Sequence, residues 1–566
     1  MNQPNQTPSP KRILLAGVFG PFGVDDEFGR KENIMELFHN QVTREQGLAS
    51  FRFQHRSFGL YFLAENLNAD VTVLDFPSLE RFKEEIVLDY DAVGISFITP
   101  NFVKAQEMAK LTRILAPHTE IILGGHGAAV EGVEDSIDCD HVVKGEGIAW
   151  LRQYVGQDVS DPIVHPVLQS TEKTRIFGVP VPGQSASLLV PGVGCVNACR
   201  FCSTSHFFGR AYTPYLATGR ELFEACCHIA DVRKTEEFFV MDENFLKDKK
   251  RALELLAEME ANERFFEFEI FSSAEAILDF GLDNLERLGV NFVWIGVESG
   301  STASNYQKNE GVDAKALVKQ LRNRGILVLA SGILCHEDHT PANIRKDIDF
   351  MVELEADLVQ FMLLIPLPVT ALYAQMKRDG LLREDLPLEE WHGQKELSYR
   401  HPTFRGGEPE RWIKKAFVAD YETNGSSMLR VIDTTLRGVR RLRAKASVEP
   451  ALIARKRRME KRLREWGIMT AVIRRHPVND AERSRAEQLD LQINLTLNYS
   501  RVDGVKKLAA RGLSTLWSWR LKAVGDHMQP DTIYTRYPVG VRNGYVTKTR
   551  LSDHCAVASD VLSHVG

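Results

Sequence analysis

Residues 11–155 alternate short apolar runs with stretches of helical periodicity. The apolar runs are rich in β-branched and aliphatic side chains and occupy positions 12–18, 70–76, 90–97, 120–125 and 141–145. Apolar residues recur every three or four positions between them, at 58–67, 79–87 and 102–116. Strands that are apolar throughout and separated by helices are typical of a parallel sheet covered on both faces. We therefore predict a doubly wound α/β domain over residues 11–155.

A second alternating series follows residues 156–184, which contain several Pro and Gly, show little periodicity and are interpreted as a connector. Six further strands are predicted at 187–193, 238–242, 268–272, 291–297, 327–334 and 357–365. Six βα units resemble three quarters of an eightfold barrel, whose reactive face lies at the carboxyl ends of its strands. The prediction is a partial (βα)6 barrel over residues 185–400.

The strand signal fades beyond residue 400, and charge-rich, helix-forming sequence replaces it. This predicts a mostly helical C-terminal domain over residues 401–566, which we expect to complete or cover the reactive site. Residues 1–10 are polar and predicted to form a short disordered arm. No signal-peptide pattern and no run near eighteen apolar residues is present, and eight cysteines without a secretory signal suit a reducing compartment. We expect a cytoplasmic protein that does not span a membrane.

Composition adds one asymmetry to this picture. The chain has 566 residues, enough for three or four domains, and its 44% hydrophobic and 26% charged content excludes a wholly disordered chain. The net charge of -6 conceals a basic segment, because residues 430–475 hold fifteen Lys and Arg against four Asp and Glu. That segment carries +11, so the rest of the chain carries -17.

Part of this basic segment forms an amphipathic pattern. Within residues 451–475, one helical stripe is apolar and Lys or Arg surround it; the stripe comprises Leu452, Met459, Leu463, Trp466 and Ile473. Either the stripe packs on the barrel while the arginines pair with the acidic body, or the helix lies on an anionic membrane surface as a peripheral association. Nucleic acid is not predicted as a partner, because no recognition module is visible and the rest of the chain is acidic.

The most informative residues are three cysteines directly after the first barrel strand, Cys195, Cys199 and Cys202 in the run GCVNACRFC. Three thiolates on one tight loop can hold three irons of a [4Fe-4S] cluster and leave the fourth iron open to an outside ligand. A structural zinc site normally takes four protein ligands, whereas Cys226 and Cys227 are adjacent in a helical stretch and point apart. The spacing therefore favours a cluster over a zinc site or three buried thiols.

With an aromatic residue before its third cysteine, this motif resembles that of the radical S-adenosylmethionine (radical SAM) superfamily, over residues 185–400. The resemblance implies that S-adenosylmethionine (SAM) chelates the open iron. It also implies that an electron from the cluster cleaves SAM to a 5′-deoxyadenosyl radical, which abstracts hydrogen from the substrate. The electron donor would be a protein such as flavodoxin or ferredoxin.

The resemblance also implies contacts to SAM from residues near strand ends: Phe201, Asp242, Glu243, Asn244, Ser273, Glu298 and Ser299. Those following the second strand stand where the family binds the methionine amino group, although this chain lacks the glycine-rich version of that motif. Glu298 and Ser299 match the position that contacts the ribose and carboxylate. For all of them, a loop cap or a solvated charge is the alternative interpretation.

Cys335 follows the fifth barrel strand in the run GILCHE, on the reactive side. A catalytic role for its thiol is one interpretation. A packed small hydrophobic side chain is the other, and it is the one that we favour.

Two short signatures end strands of the first domain, where open α/β sheets bind ligands, and a third follows the fifth strand: SFI at 96–98, GGHG at 124–127 and GEG at 145–147. Glycines there allow a backbone to approach a large flat group. Placed before a radical SAM barrel, they resemble a cobalamin-binding domain. The resemblance implies cobalamin contacts from Ser96, Thr99, Gly124, Gly125, His126, Gly127 and Glu146.

Cobalamin domains that ligate cobalt with a protein histidine carry Asp-x-His-x-x-Gly in the first βα loop, and this chain lacks it. His55 has Phe53 and Phe58 at the corresponding Asp and Gly positions. If cobalamin binds, we expect no histidine of that loop beneath the cobalt. A degenerate α/β scaffold without cofactor is the alternative.

Together the two resemblances imply a cobalamin-dependent radical SAM enzyme that methylates an unactivated carbon of a small-molecule substrate, with a lipid or isoprenoid-like compound as one hypothesis. Related enzymes close rings, oxidise carbons or couple carbon chains, and these reactions remain alternatives. A non-catalytic cobalamin-responsive regulator is the alternative of a different class.

Overall fold

A computed structural model of the chain describes residues 10–32, 37–177, 179–180, 185–299, 311–445, 448–525 and 528–551. The predicted arm at residues 1–10 lies outside this description except for Pro10. Among the described helices, none is both long and apolar enough to cross a membrane.

Nineteen strands are described. They are β1 (Arg12–Gly17), β2 (Arg52–His55), β3 (Asp70–Asp75), β4 (Ala92–Ser96), β5 (Glu120–Gly124), β6 (His141–Val142), β7 (Pro162–His165), β8 (Thr171–Ile176), β9 (Val179–Pro180), β10 (Ser187–Leu189), β11 (Gly192–Gly194), β12 (Tyr212–Pro214), β13 (Glu237–Val240), β14 (Glu267–Phe271), β15 (Val290–Glu298), β16 (Leu327–Leu334), β17 (Leu358–Leu363), β18 (Ile533–Tyr537) and β19 (Tyr545–Arg550).

Nineteen α-helices accompany them in the described ranges. They are α1 (Phe58–Glu65), α2 (Leu79–Ile86), α3 (Phe102–Leu115), α4 (Val133–Ser136), α5 (Gly147–Tyr154), α6 (Ser203–Phe207), α7 (Gly219–Arg233), α8 (Lys249–Ala261), α9 (Ala274–Phe280), α10 (Leu282–Leu288), α11 (Ala314–Asn323), α12 (Pro341–Glu353), α13 (Ala371–Arg378), α14 (Glu408–Asn424), α15 (Ser427–Lys445), α16 (Pro450–Trp466), α17 (Thr470–Arg475), α18 (Asp480–Leu497) and α19 (Arg501–Val524).

The first sheet has the order β18-β3-β1-β4-β5-β6, and β3 to β6 run parallel. Successive residues of its central strand pack on opposite faces, because side chains alternate along a strand. Ile13 and Leu15 pack with α1 and α5, whereas Leu14 packs with α2 and α3. The doubly wound α/β prediction is confirmed.

The edge of this sheet was not predicted from sequence. β18 comes from the far C-terminus and pairs antiparallel with β3, with Thr535 opposite Val73. β19 pairs with β7, which lies in the stretch interpreted as a connector, and β8 of the same stretch pairs with β2. The C-terminal region is mostly helical, as predicted, but its last described elements return to the first domain and cover a strand edge that would otherwise be open.

The second sheet has the order β10-β13-β14-β15-β16-β17, and all five pairings are parallel. β10 and β17 form its two edges, so the six strands make the predicted partial barrel rather than a closed one. Helices α7 to α12 pack outside it around one large apolar core. The carboxyl ends of the strands meet at one rim, where Asp242, Ser273 and Glu298 stand.

The helices after residue 400 contact the opposite rim, at the amino ends of the strands. Thr434 of α15 donates to Asp357 at 2.6 Å, directly before β17, and Arg455 of α16 donates to the carbonyl oxygen of Val290, where β15 begins, at 2.7 Å. The expectation that this domain covers the reactive rim is therefore wrong for these two helices. Helices α15 and α16 cover the rim formed by the amino ends of the barrel strands.

The contacts of residues 451–475 decide between the two interpretations of the basic segment. The apolar stripe is buried, with Leu452, Met459, Leu463 and Ile473 each at most 2% exposed. Arg462 Nη2 lies 2.6 Å from Glu267 Oε2 at the start of β14, and Arg458 pairs with Glu236. The segment packs on the acidic barrel, and the membrane alternative for this helix is wrong because its apolar side is already covered.

Candidate cofactor and radical site

A cavity of about 620 Å³ lies between the carboxyl edge of the first sheet and the first strands of the barrel. The first sheet contributes Gly17, Ser96 and Gly124 from the ends of β1, β4 and β5. The barrel side contributes Gly194 at the end of β11 and Met241 after β13. The two ligand-binding edges expected for the two domains therefore open onto one space.

The cysteine loop begins directly at this cavity. Gly194 has φ +89°, and a Cβ there would lie 2.2 Å from the carbonyl oxygen of Ala211, so only glycine fits before Cys195. The Cys202 amide donates to Cys199 O at 3.0 Å, which folds the loop into a tight turn.

Further hydrogen bonds hold the loop from both sides. Ser205 Oγ, on α6, donates to Cys195 O at 2.6 Å. Leu372 N, on α13, donates to Arg200 O at 2.9 Å, and the Arg200 guanidinium contacts Glu337 at 2.7 Å. The backbone of the loop is thus fixed by the fold itself.

The donor set of this loop fits an iron–sulfur cluster. Cys195, Cys199 and Cys202 are all half-buried, so the three sulfurs are neither packed away in the core nor fully in solvent. Three sulfur donors on one braced loop match the requirement of a cluster with one open iron. Phe201 packs against the barrel core rather than lining the cavity.

The two acidic residues after β13 have different surroundings. Asp242 is buried, accepts from Arg251 Nη2 at 2.6 Å and from Tyr212 Oη at 2.8 Å, and also accepts from Asn244 N. Burial and the neighbouring Asp242 carboxylate raise the pKa of Tyr212, which keeps its hydroxyl protonated. Glu243 is exposed and lines the cavity. Both residues line the cavity, but Asp242 is buried and braces the strand end through Arg251 and Tyr212, whereas Glu243 is the exposed carboxylate.

Asn244 and Ser273 join two neighbouring strand ends. Asn244 Nδ2 donates to Ser273 Oγ at 3.0 Å, and Asn244 Oδ1 accepts from Ser273 N at 3.0 Å. Ser273 is also the N-cap residue of α9. Both are buried and contact each other, an arrangement that fixes the rim at β13 and β14.

Glu298 and Ser299 end β15 at an irregularity in its pairing with β16. Glu298 is buried with φ +67°, a conformation that L-residues rarely adopt, and the register shifts between Gly296 and Glu298. Ser299 Oγ donates to Asp347 of α12. Neither residue lines the cavity, which reaches the barrel through β10 to β14.

Cys335 is fully buried in the apolar core, and burial raises the pKa of its thiol well above the ordinary value. Tyr399 Oη donates to the Cys335 carbonyl oxygen. A protonated thiol packed among apolar side chains agrees with the interpretation as a small hydrophobic residue.

His336, His339 and Asp347 form a buried polar cluster beside Cys335. His339 Nε2 lies 3.1 Å from Asp347 Oδ2, and the two imidazole centroids are 3.4 Å apart with their planes inclined by 34°. Two imidazoles bound to one tetrahedral ion diverge and have centroids about 5 Å apart. The two rings are closer together than that, and Asp347 accepts from Ser299, so the cluster is a hydrogen-bonded support for Ser299 rather than a preformed metal site.

Five of the seven residues predicted to contact cobalamin line the cavity, namely Ser96, Gly124, Gly125, His126 and Glu146. A Cβ on Gly124 would meet no atom within 4 Å, so the wall is open there. Gly127 instead packs on Phe97, whose ring lies 2.2 Å from the position of a Cβ, and Thr99 is buried in the turn after β4.

Glu146 and His126 have clear structural partners. Glu146 accepts from Ile148 N and Ala149 N, both at 2.9 Å, and thereby caps α5, while Tyr215 Oη donates to it at 2.9 Å. Burial raises the pKa of Glu146. The His126 ring packs at a tilt against Phe207 of α6 with centroids 4.5 Å apart, and burial lowers the pKa of His126 to about 4, so the imidazole is neutral at pH 7.

The cavity also contains a carboxylate that the sequence analysis missed. Asp75, at the end of β3, is fully buried and lines the cavity; Oδ2 accepts from Ser57 N at 3.0 Å, and Oδ1 has no hydrogen-bond partner among the described atoms. Burial raises the pKa of Asp75. The signal available in the sequence was its place at the carboxyl end of the strand predicted at 70–76, the same rule that selected Ser96.

The loop after β1, which lacks the cobalt-ligating motif, is held by a buried lysine. Lys104 Nζ donates to Phe19 O at 2.9 Å and to Pro21 O at 2.6 Å, and burial lowers its pKa to about 8. His55 lies elsewhere, on β2, with Nδ1 3.1 Å from Ser170 O. His55 does not line the cavity.

Two family models match the chain: the radical SAM superfamily over residues 189–351 and the B12 binding domain over residues 46–154. The first covers the barrel strands β13 to β16 and the cysteine loop, and the second covers most of the first sheet. The chain therefore combines a region similar to the B12 binding domain with a region similar to the radical SAM superfamily, the pair of domains that the sequence predicts.

Curated relatives match over about half of the chain. Hopanoid C-2 methylase from Rhodopseudomonas palustris is 22% identical over 327 residues, 54% of this chain and 62% of its own length. Bacteriochlorophyllide d C-12(1)-methyltransferase from Chlorobaculum tepidum is 24% identical over 332 residues, 54% of this chain and 70% of its own length.

Among solved structures, the radical S-adenosylmethionine methyltransferase TsrM from Kitasatospora setae, with cobalamin and a [4Fe-4S] cluster bound, is similar at a TM-score of 0.48 and 15% identity, over 73% of this chain and 89% of that one.

Proposed function

We propose that this chain is a cobalamin-dependent radical SAM methyltransferase that transfers a methyl group to an unactivated carbon. The observation that carries the proposal is the shared cavity, which is bounded by the strand ends of the B12-type sheet and by Gly194 next to Cys195. Methyl transfer to a carbon radical requires the methyl donor and the hydrogen-abstracting group to face one substrate. The methyltransferase names of two relatives support the same reaction class.

The residues present fit both groups. The three cysteines would hold the cluster, Glu243 offers a carboxylate for the ammonium group of SAM, and Gly124 and Gly125 leave room for the corrin ring. When bound, the cluster with SAM supplies hydrogen-atom abstraction, and cobalamin supplies the methyl group.

The residues of the chain itself hold Glu243 in place and exclude water from the cavity. Asp242, Arg251 and Tyr212 fix the end of β13, so that Glu243 meets the cavity at a defined place. Phe207 and Phe208 line the wall beside the cysteine loop and exclude water from it. Exclusion of water matters because reactive species in such a site are otherwise quenched.

The proposed reaction also requires a substrate and an electron donor. We infer a small-molecule substrate, and a lipid such as the hopanoid named for one relative is the candidate class. Reduction of the cluster requires a protein donor such as flavodoxin or ferredoxin. Both requirements favour a cytoplasmic location, with access to a lipid substrate at a membrane surface.

The decisive experiment is anaerobic reconstitution with iron, sulfide and cobalamin, followed by addition of SAM and the reductant dithionite and assay of 5′-deoxyadenosine and S-adenosylhomocysteine. We expect SAM cleavage by the unmodified protein and none by Cys202→Ala. Cys227→Ala is the matched control, because Cys227 is equally half-buried but lies on α7, away from the loop. An unmodified protein with a full cluster and no SAM cleavage would overturn the enzyme proposal in favour of a regulator.

The type of reaction is tested by mass spectrometry of metabolites from a deletion strain and its parent. A parent-specific compound heavier by one methyl group than a compound that accumulates in the deletion strain supports methylation. A difference of two hydrogens or one oxygen points instead to ring closure or oxidation and contradicts the proposed methyl transfer.

A further inference from the structure

The helix α19 (Arg501–Val524) exposes more large apolar side chains than a solvent-facing helix normally does. Seven large apolar side chains on its 24 residues are each between 50% and 69% exposed: Val502, Val505, Leu508, Leu513, Leu516, Trp519 and Val524. Scattered single exposures are normal for soluble proteins, whereas contiguous apolar surface marks an interaction site.

The inward side of α19 is mixed: Ala510 packs against the apolar core and Trp517 is half-buried, but the fully buried residues are polar. Asp503 and Ser514 are its buried residues, and Arg464 Nη1 donates to Asp503 Oδ2 at 2.7 Å. Lys507 pairs with Asp490 of α18, and its Nζ lies 4.2 Å from the centroid of the Tyr499 ring. A globular surface helix normally has the opposite arrangement, with its apolar stripe inward. Polar contacts hold this helix to the body while its apolar side faces outward.

The positive charge of α19 indicates that its outward side binds an anionic partner. The helix carries six Lys and Arg against one acidic residue, Asp503, which is already engaged by Arg464. Five of the six cations are exposed: Arg501, Lys506, Arg511, Arg520 and Lys522. None of these five forms an ion pair with any acidic residue in the described parts of the chain.

Around the helix axis, the exposed apolar side chains share one side, and three of the five exposed cations border it. At 3.6 residues per turn, the seven apolar side chains occupy an arc of about 160°. Arg511 and Lys522 lie beyond one border of this arc and Lys506 lies at the other, whereas Arg501 and Arg520 lie within the arc. Trp519 stands within the arc, and an indole is suited to the boundary between headgroups and acyl chains.

We propose that α19 docks the protein on an anionic phospholipid surface, with its apolar arc in the acyl boundary and its bordering cations at the headgroups. A second copy of this chain would fit worse, because two helices that each carry a charge of +5 repel one another. The proposal does not depend on the methyl-transfer reaction, since it rests on the surface of a helix outside both cofactor domains.

The test is co-sedimentation of the full-length protein, anaerobically purified with its cofactors, with vesicles of phosphatidylcholine alone or mixed with phosphatidylglycerol. We expect binding to the anionic vesicles to be about tenfold tighter than to phosphatidylcholine and to weaken with added salt. Leu508→Ser combined with Leu516→Ser should lower the binding to anionic vesicles by about tenfold or more.

The matched control is Ile114→Ser combined with Val232→Ser, which removes two comparably exposed apolar side chains from α3 and α7. It should bind vesicles like the unmodified protein. Lys506→Gln with Lys522→Gln should reduce the preference for phosphatidylglycerol and leave the binding to phosphatidylcholine nearly unchanged.

Several results would overturn the proposal. One is a full-length protein that ignores anionic vesicles, and another is a Leu508 and Leu516 variant that binds them undiminished. A third is an unmodified protein that binds no vesicles and is a dimer by sedimentation equilibrium, while the Leu508 and Leu516 variant is a monomer. That result would assign the surface to a second copy of the chain. Cofactor content and SAM cleavage, measured on the same samples, separate these results from a failure of the proposed function.

Discussion

Replacement of Arg251 by methionine is the sharpest test of how the strand end beside the radical site is held. Arg251 and Asp242 are each 3% exposed, and Arg251 Nη2 lies 2.6 Å from Asp242 Oδ2. Tyr212 is the third member, because its hydroxyl donates to Asp242 and accepts from Arg251 at 2.7 Å. Arg251→Met leaves the Asp242 carboxylate buried with two neutral donors, Tyr212 Oη and Asn244 N, and without its cation.

The size of the effect follows from burial. Removal of one partner from a buried ion pair costs about 3–5 kcal/mol, because an uncompensated charge stays in a poorly solvated place. An exposed pair is worth about 1 kcal/mol or less. Arg220 and Glu258 provide that comparison, with Arg220 64% exposed and its Nε 2.9 Å from the carboxylate. Arg251→Met should therefore destabilise the barrel several times more than Arg220→Met.

The assay is equilibrium urea unfolding of the apo protein, together with SAM affinity of the reconstituted protein. Asp242→Asn added to Arg251→Met should recover much of the lost free energy, because it removes the stranded charge. Because the pair positions Glu243, we also expect weaker SAM binding by Arg251→Met. A loss below about 1 kcal/mol, equal to that of Arg220→Met, would refute the reasoning from burial.

Three further predictions concern the same site and its surroundings. Gly127→Ala should destabilise the B12-binding domain by about 1–3 kcal/mol in urea unfolding, because the new methyl group overlaps the Phe97 ring. The methyl group of Gly124→Ala meets no atom within 4 Å, so this variant should keep its stability but bind less cobalamin, measured by absorbance. His392 and Arg30 lower the pKa of Glu390 to about 2, so this carboxylate stabilises the fold above about pH 4.5, and the contribution is lost as the pH falls toward 2. Glu390→Gln should flatten the stability profile in that window, and an unchanged profile would contradict the assignment. Anaerobic chelation of iron should abolish the visible iron–sulfur absorbance while leaving the far-ultraviolet circular dichroism unchanged, because backbone hydrogen bonds already hold the cysteine loop.

The two sheets could be predicted from sequence because their strands are buried on both faces. Residues 12–18 and 327–334 are apolar almost throughout, and such runs differ clearly from the helices around them. β18 could not be found in this way. Its five residues alternate between half-buried and exposed positions, and only its pairing with β3 defines it as a strand. A long-range pairing of this kind leaves no local pattern.

The candidate site was predicted in position but not in the roles of individual residues. Adjacent carboxylates at 242 and 243 are equivalent in the sequence, and the difference between them arises from Arg251 on α8 and Tyr212 on β12. Gly127 similarly reads as a cofactor-binding glycine, whereas in the fold it permits close packing against a ring. Such distinctions depend on which side chains distant segments bring into contact, and composition or spacing does not contain that information.

The same limit explains why the membrane hypothesis moved from one helix to another. Residues 451–475 and α19 both combine a basic charge with an apolar arc, and the sequence treats them alike. The first packs its arc on the barrel because acidic residues at the strand starts, such as Glu267, neutralise its arginines there. For α19, the ion pairs lie on the inward side: Lys507 pairs with Asp490 of α18, and the helix's own Asp503 pairs with Arg464 of α16. The position of the acidic partners therefore decides which face of a basic amphipathic helix remains available to a membrane.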